Sequence, residues 1–455
     1  MAYSTVNRFI TLFDDAFRAL GMPVSMAEAE RLGILVHRAM ESNTRTYHTA
    51  GHVFGMCEDM NPRQVLAALF HDLVYYQLDG GFPLHTRDLL RDVARVDGDT
   101  LVLQDIAPGD GTMAMCAELF GFEVGQVLPL YCGMNEFLSA VVAARLLQPH
   151  LAWDDLVALL ACIEATIPFR KPGPKGRTAL ENLATRVEKL YRNQHPEADE
   201  ARVTAYVNDV VWDAVKITNR DVSSFAVSDP GLFLSSTWLL IEESNAPLKV
   251  AGMYTLQEYR HGLTRMDGFL RGLDSINVFQ QFRGQPSVQE MQAMRTAASR
   301  NIAFACDFLG AKITSIAIVE ALALCTGTDG PISMFLGDIR SPHGRPERLD
   351  DFLPQPPAAA QDTDPHLLHV FEKGRTLESS NDLTTSPITA FIYRSIGHAG
   401  VQAVLGQARS MFDGSLTPLA FLQSLDRDML RAIIQASTAI ALSRKDALLA
   451  LEISL

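Results

Sequence analysis

Two histidines stand four residues apart in Arg45-Thr-Tyr-His-Thr-Ala-Gly-His52, and a third precedes an aspartate in Leu66-Ala-Ala-Leu-Phe-His-Asp-Leu-Val-Tyr75. On a helix, the first spacing puts the imidazoles of His48 and His52 on one face, one turn apart, where both address one ion or one phosphate. His71 and Asp72 end an otherwise apolar stretch that reads as a buried helix. A buried carboxylate without a partner costs on the order of several kcal/mol, so the pair calls for a basic neighbour or a metal ion. Imidazole and carboxylate together are a donor set for divalent ions. Such an ion lowers the pKa of water and steadies attacking and leaving oxygens in phosphoester hydrolysis.

Tyr47-His48-Thr-Ala-Gly-His52 followed by Phe70-His71-Asp72 resembles the HD superfamily of metal-dependent phosphohydrolases. It is similar in particular to the cyclic-nucleotide phosphodiesterase branch and to small bacterial HD proteins with a Tyr-His-x-x-x-His…Phe-His-Asp-x-Val-Tyr pattern. The resemblance spans roughly residues 30–285. It implies a helical bundle with one or two divalent metals, Mn, Mg, Zn, Fe or Ni being indistinguishable from sequence. By the same resemblance the ligands are His52, His71, Asp72 and Asp221, the last within Ala214-Val-Lys-Ile-Thr-Asn-Arg-Asp221, and Asp72 bridges to a second ion. His48 then corresponds to the acid that protonates the leaving oxygen, and Glu164 to a glutamate near the attacking water. Unlike the phosphodiesterases, the stretch Leu73–Leu78 contains no further histidine.

Other residues bear on substrate. The loop Phe169-Arg-Lys-Pro-Gly-Pro-Lys-Gly-Arg177 offers Arg170 and Lys171 to a phosphate. Arg220, beside Asp221, is either a substrate contact or a group that orients the ligand. The expected activity is hydrolysis of a phosphomonoester or phosphodiester in a small nucleotide-like molecule. An HD-type di-iron oxygenase would need extra histidines between residues 72 and 221, where only His85, His150 and His195 stand. A nucleotide-binding regulatory protein without turnover is the third reading.

The elements that must carry these residues are helical. Apolar residues recur at three- and four-residue spacing over 5–20, 26–41, 62–77, 134–147, 153–167, 177–193 and 198–222, and again over 230–243, 254–273 and 287–325. Glycines, prolines and aspartates over 79–133 read as a loop-rich insertion with at most a short hairpin. The expected architecture is all-α: an HD-type bundle over 1–285 and a smaller helical region over 286–455. The latter contains a Pro-rich flexible segment over 341–387, with one short helix near Leu367–Phe371, and then a helical pair over 388–410 and 416–450. That pair cannot bury both faces alone, which points to a homodimer or to docking on the front body.

Composition narrows the function classes. The 455 residues carry 39 basic and 53 acidic side chains, a net charge of −14, so a nucleic-acid polymer is not an expected partner. Six cysteines stand far apart with no CxxC, as in reduced thiols of a cytoplasmic protein. The longest apolar runs read as about half the ~20 residues that a membrane span needs.

Overall fold

The computed structural model describes residues 4–173, 176–339, 346–377, 379 and 381–455. Within these the chain is all-α, with nineteen α-helices and one two-stranded sheet. It divides into two compact units, one of residues to Ala226 together with Asp274–Thr296, the other of Val227–Leu273 with Ala297–Leu455.

In the first unit, α1 (Thr5–Ala19) and α2 (Met26–Met40) each start on a serine. The hydroxyl of Ser4 accepts from Asn7 N–H and that of Ser25 from Glu28 N–H, which satisfies first-turn donors that the helix itself cannot. Their buried stripes, Phe9, Phe13 and Phe17 against Leu32 and Val36, meet where Gly33 lies against Ile10. Next come α3 (Ala50–Cys57) and α4 (Pro62–Phe70), which Asn61 and Gln64 open with a reciprocal capping box. The 79–133 segment holds α5 (Arg87–Leu90) and the expected hairpin, β1 (Ala94–Asp97) antiparallel to β2 (Thr100–Leu103). It also holds a ten-residue helix, α6 (Gly111–Phe120), capped by Asp110 and closed by Gly121 in the left-handed region. The Gly and Pro residues that bound it make the segment read as loop. The unit is completed by α7 (Met134–Leu147), α8 (Trp153–Ala165), α9 (Ala179–Gln194) and α10 (Glu200–Asp221).

The second unit begins earlier than the boundary expected at 285, with α11 (Pro230–Ser244) and α12 (Leu256–Gly272). Paired charges tie α12 into it: Arg260 to Glu320 at 2.7 Å, both buried, and Asp267 to Arg409 at 3.2 Å. Its spine is α13 (Val288–Thr326), whose residues from Ala297 onward belong to this unit. Contrary to the reading of short apolar runs, α13 is long and apolar enough to cross a membrane by length and composition. However, 89% of its apolar stretch is buried within the protein, as a core helix is. Lys312 and Glu320 interrupt the run, and both are paired. After α14 (Ile332–Leu336), α15 (Pro365–Lys373) lies where the short helix was expected, and residues 340–345 lie outside the described ones. Then follow α16 (Pro387–Phe412), α17 (Pro418–Gln423), α18 (Arg427–Ile440) and α19 (Lys445–Ser454). The second member of the expected pair is thus three helices, because Thr417 and Asp426 each cap a new start.

A Cβ at Gly33 would stand 2.7 Å from Ile10 Cγ1 and 2.9 Å from its backbone nitrogen. Gly33→Ala should therefore push α1 off α2 and cost about 1–3 kcal/mol, seen as a lower denaturation midpoint. An unchanged midpoint would mean that the two helices have slack.

Candidate metal centre

Four helices bring the candidate ligands together. His52 lies in the first turn of α3, whereas His48 sits in the bend before Thr49 and does not share that helix. Their rings are nevertheless 5.8 Å apart. Helix α4 ends at Phe70, seven residues short of the expected stop, with His71 as its C-terminal cap and Asp72 in the following turn. Asp221 is the last residue of α10 and Glu136 the third of α7.

Side chains fix the placement of these helices. Asn61 Nδ2 donates to Asp213 Oδ1 at 2.6 Å and Gln64 Nε2 to Asp213 O at 2.9 Å, joining α4 to α10. The end of α10 is held twice. Asn219 donates to Gln280 O and accepts from Gln280 N–H, while Arg220 donates to Gly55 O at 2.8 Å and to Glu58 at 2.9 Å. Arg220 therefore ties α10 to α3 and fixes the approach of Asp221 to His52.

The donor atoms converge. Asp72 Oδ2 is 2.8 Å from His71 Nε2, 3.7 Å from His52 Nε2 and 4.0 Å from His48 Nε2. Asp221 Oδ1 is 3.1 Å from His52 Nε2 and 3.9 Å from His71 Nε2. Two donors that each stand ~2.1 Å from one ion are roughly 3–3.5 Å apart in octahedral or tetrahedral geometry. The spacings at His52, His71 and the two aspartates bracket that value, and His52, His71 and Asp72 form a group able to hold a metal ion. His48 stands outermost, between the rings of Tyr47 and Tyr75, each 4.9 Å away.

The donors fit an ion in a second respect. His52 Nε2 and His71 Nε2 are buried with no hydrogen-bond partner among the described residues, although carboxylate oxygens stand close to both. His71 Nδ1 lies 2.9 Å from Ala68 O; as the donor there, it leaves the Nε2 lone pair facing the aspartates, as histidine ligands require. Burial works against charge on the His71 imidazole, but Asp72 and Asp221 outweigh it and raise it to about 9. Burial likewise opposes ionisation of Asp72, yet His71, His48 and His52 hold its carboxyl well below the usual range. Glu136, half-buried, is raised to about 7 by burial and then by Asp72 and Asp221.

The turn that presents Asp72 is pinned from two sides. Arg45, buried, donates to Asp72 O at 2.6 Å and Leu73 O at 3.4 Å and pairs with Asp79 at 2.8 Å. Asp79 in turn accepts from Tyr75 N–H. From α7, Ser139 Oγ accepts from Val74 N–H and Asn135 Oδ1 from Tyr76 N–H, both at 3.0 Å.

Two expectations, those for Glu164 and Arg170, do not fit this geometry. Glu164 is buried between Arg170 and Arg186, at 2.6 and 2.8 Å, which neutralise it. Arg170 spends its donors on Glu164, so neither is a free base or phosphate ligand here. Lys171 is exposed on the loop, whose residues 174–175 lie outside the described ones. The carboxylate beside the ligands is Glu136. Its sequence signal was the polar set Asn135, Glu136 and Ser139 in the otherwise apolar first half of the helix.

His71→Ala or Asp72→Ala should abolish metal binding with the fold retained, and full occupancy in His71→Ala would contradict the ligand set. Arg45→Ala should weaken binding about 10–100-fold, the usual effect of losing a group that orients a ligand. The folded-state pKa of His71 is raised from 6.5 to about 9. Its contribution to apo stability is therefore present below about 6.5 and is lost as pH rises through about 9. An incoming ion displaces that proton, so Mn²⁺ affinity measured by calorimetry should rise with pH across the same window. A flat profile would oppose this.

No family model, no curated protein and no solved structure matches the chain.

Proposed function

We propose that the first unit is an HD-type, divalent-metal-dependent hydrolase of a phosphomonoester or phosphodiester bond in a small nucleotide-like molecule. The observation that carries this reading is the convergence of His52, His71, Asp72 and Asp221 on one point, with two buried imidazole nitrogens facing the two carboxylates. A bound divalent ion supplies Lewis-acid activation of water and neutralises developing phosphoryl charge. His48, a turn outside the ligands, is placed to give a proton to the leaving oxygen while Asp72 steadies its charged form. Glu136 is placed to accept or orient a proton on the attacking side, the part first assigned to Glu164.

The histidines elsewhere favour hydrolysis over di-iron oxygenation. His150 lies 3.2 Å from Glu28 and His195 2.8 Å from Asp154, and His85 is exposed. None of the three is in the group that can hold an ion.

Screening phosphate release from nucleotides and simple phosphoesters with Mn²⁺ or Mg²⁺ should reveal turnover. His48→Ala should keep its metal and lose about 10²–10⁴ in rate. Glu136→Gln should also keep metal and shift the pH profile. Tight nucleotide binding without turnover would show a regulatory module instead, and oxygen uptake by an iron-loaded protein would show an oxygenase.

A further inference from the structure

The second unit contains an open cleft of about 60 Å³ with charged residues in its lining that the metal chemistry does not use. Lys312, midway along α13, is buried there. Its ammonium lies 3.6 Å from Asp382 Oδ2 and over the rings of Trp238 and Tyr259, at 4.7 and 5.5 Å from their centroids. Arg375, also buried, stands 4.1 Å from the Trp238 ring centroid and 3.4 Å from the same Asp382 carboxylate. Two buried cations thus share one carboxylate. The nearby Glu242 is occupied by Ser379 and Asn381, and burial favours its neutral form. Lys312 is thus a buried cation of the cleft lining whose carboxylate partner is shared with Arg375.

A second observation comes from the start of α16, which opens into the same cleft. Ser386, the residue before the helix, is buried. Its Oγ has no hydrogen-bond partner among the described residues and makes no cap to the first turn. The first-turn N–H groups of Ile388 and Thr389 have no intrahelical acceptor, and the helix terminus carries partial positive charge. A helix start, an idle serine hydroxyl and a buried lysine around one cavity form an anion site. The lining also has an aliphatic part, made by Ile316, one turn from Lys312 on α13, with Ile332, Leu336 and Leu349. At the cleft lining Arg348 and Asp350 carry opposite charges.

We infer that this cleft binds a small organic anion with an apolar body, its oxyanion facing Lys312, Ser386 and the N-terminus of α16 while the body lies on the aliphatic wall. The headgroup chemistry is that of a carboxylate or a phosphate.

Calorimetric titration of the full chain with hexanoate, acetate and inorganic phosphate tests this. Hexanoate or phosphate should saturate one site per chain, and hexanoate should exceed acetate by at least about tenfold through its buried methylenes. Lys312→Met should lose about tenfold or more. Ser386→Ala, which removes no side-chain bond made among the described residues, should stay folded and lose several-fold. His71→Ala should bind as the parent does, which separates this cleft from the metal centre. Phosphate binding tighter than acetate assigns a phosphate headgroup, and the reverse assigns a carboxylate. No saturable binding of either anion, or binding that Lys312→Met and Ser386→Ala leave unchanged, would overturn the inference.

Discussion

The carboxylate of Asp72 is buried against the imidazole of His71, with His52 and His48 beyond it. A carboxylate in that position is tolerable only while positive charge stands next to it, and much of the first unit serves that constraint. Helix α4 delivers His71 and the following turn delivers Asp72. Arg45 holds the carbonyls of that turn, and Asn135 and Ser139 of α7 hold its amides. The contacts go to backbone atoms, so they fix where Asp72 points without consuming its carboxylate oxygens.

The same arrangement makes the site ready for a cation before one arrives. Without an ion, the His71 proton and the two aspartates balance each other. An ion there would displace that proton with little change of geometry, because the donors already stand at ligand-to-ligand distances. Preorganisation of this kind lowers the cost of binding and holds His48 and Glu136 at fixed positions beside the ligand cluster. Arg220 and Asn219, one facing α3 and the other Gln280, extend that rigidity to Asp221.

How much was legible in the sequence followed from how local each signal was. The helices with clear stripes and caps, such as α1, α2 and α10, were readable, and so were the His-x-x-x-His and His-Asp motifs. Asp221 came only through the resemblance to HD proteins. Glu164 and Glu136 are each the one glutamate of a largely apolar helix, and only the polar neighbours Asn135 and Ser139 set Glu136 apart. Glu164 is answered by Arg186, twenty-two residues on, and Glu136 by groups on other helices. Nothing local marks Arg45, because its partners Asp72 and Asp79 are twenty-seven and thirty-four residues away. Lys312 and Asp382 went unnoticed for the same reason. That residues 227–273 group with the second unit has no local signal, because the charge pairs that tie α12 into it link residues 60 and 142 positions apart.

Pulsed electron paramagnetic resonance of the Mn²⁺-loaded protein bears most directly on the claim that these side chains hold one ion. Two imidazole nitrogens should couple to the manganese in the parent protein, and one should remain at most in His52→Ala. A bound manganese with no nitrogen coupling, or with coupling unchanged in that variant, would place the ion elsewhere and contradict the account.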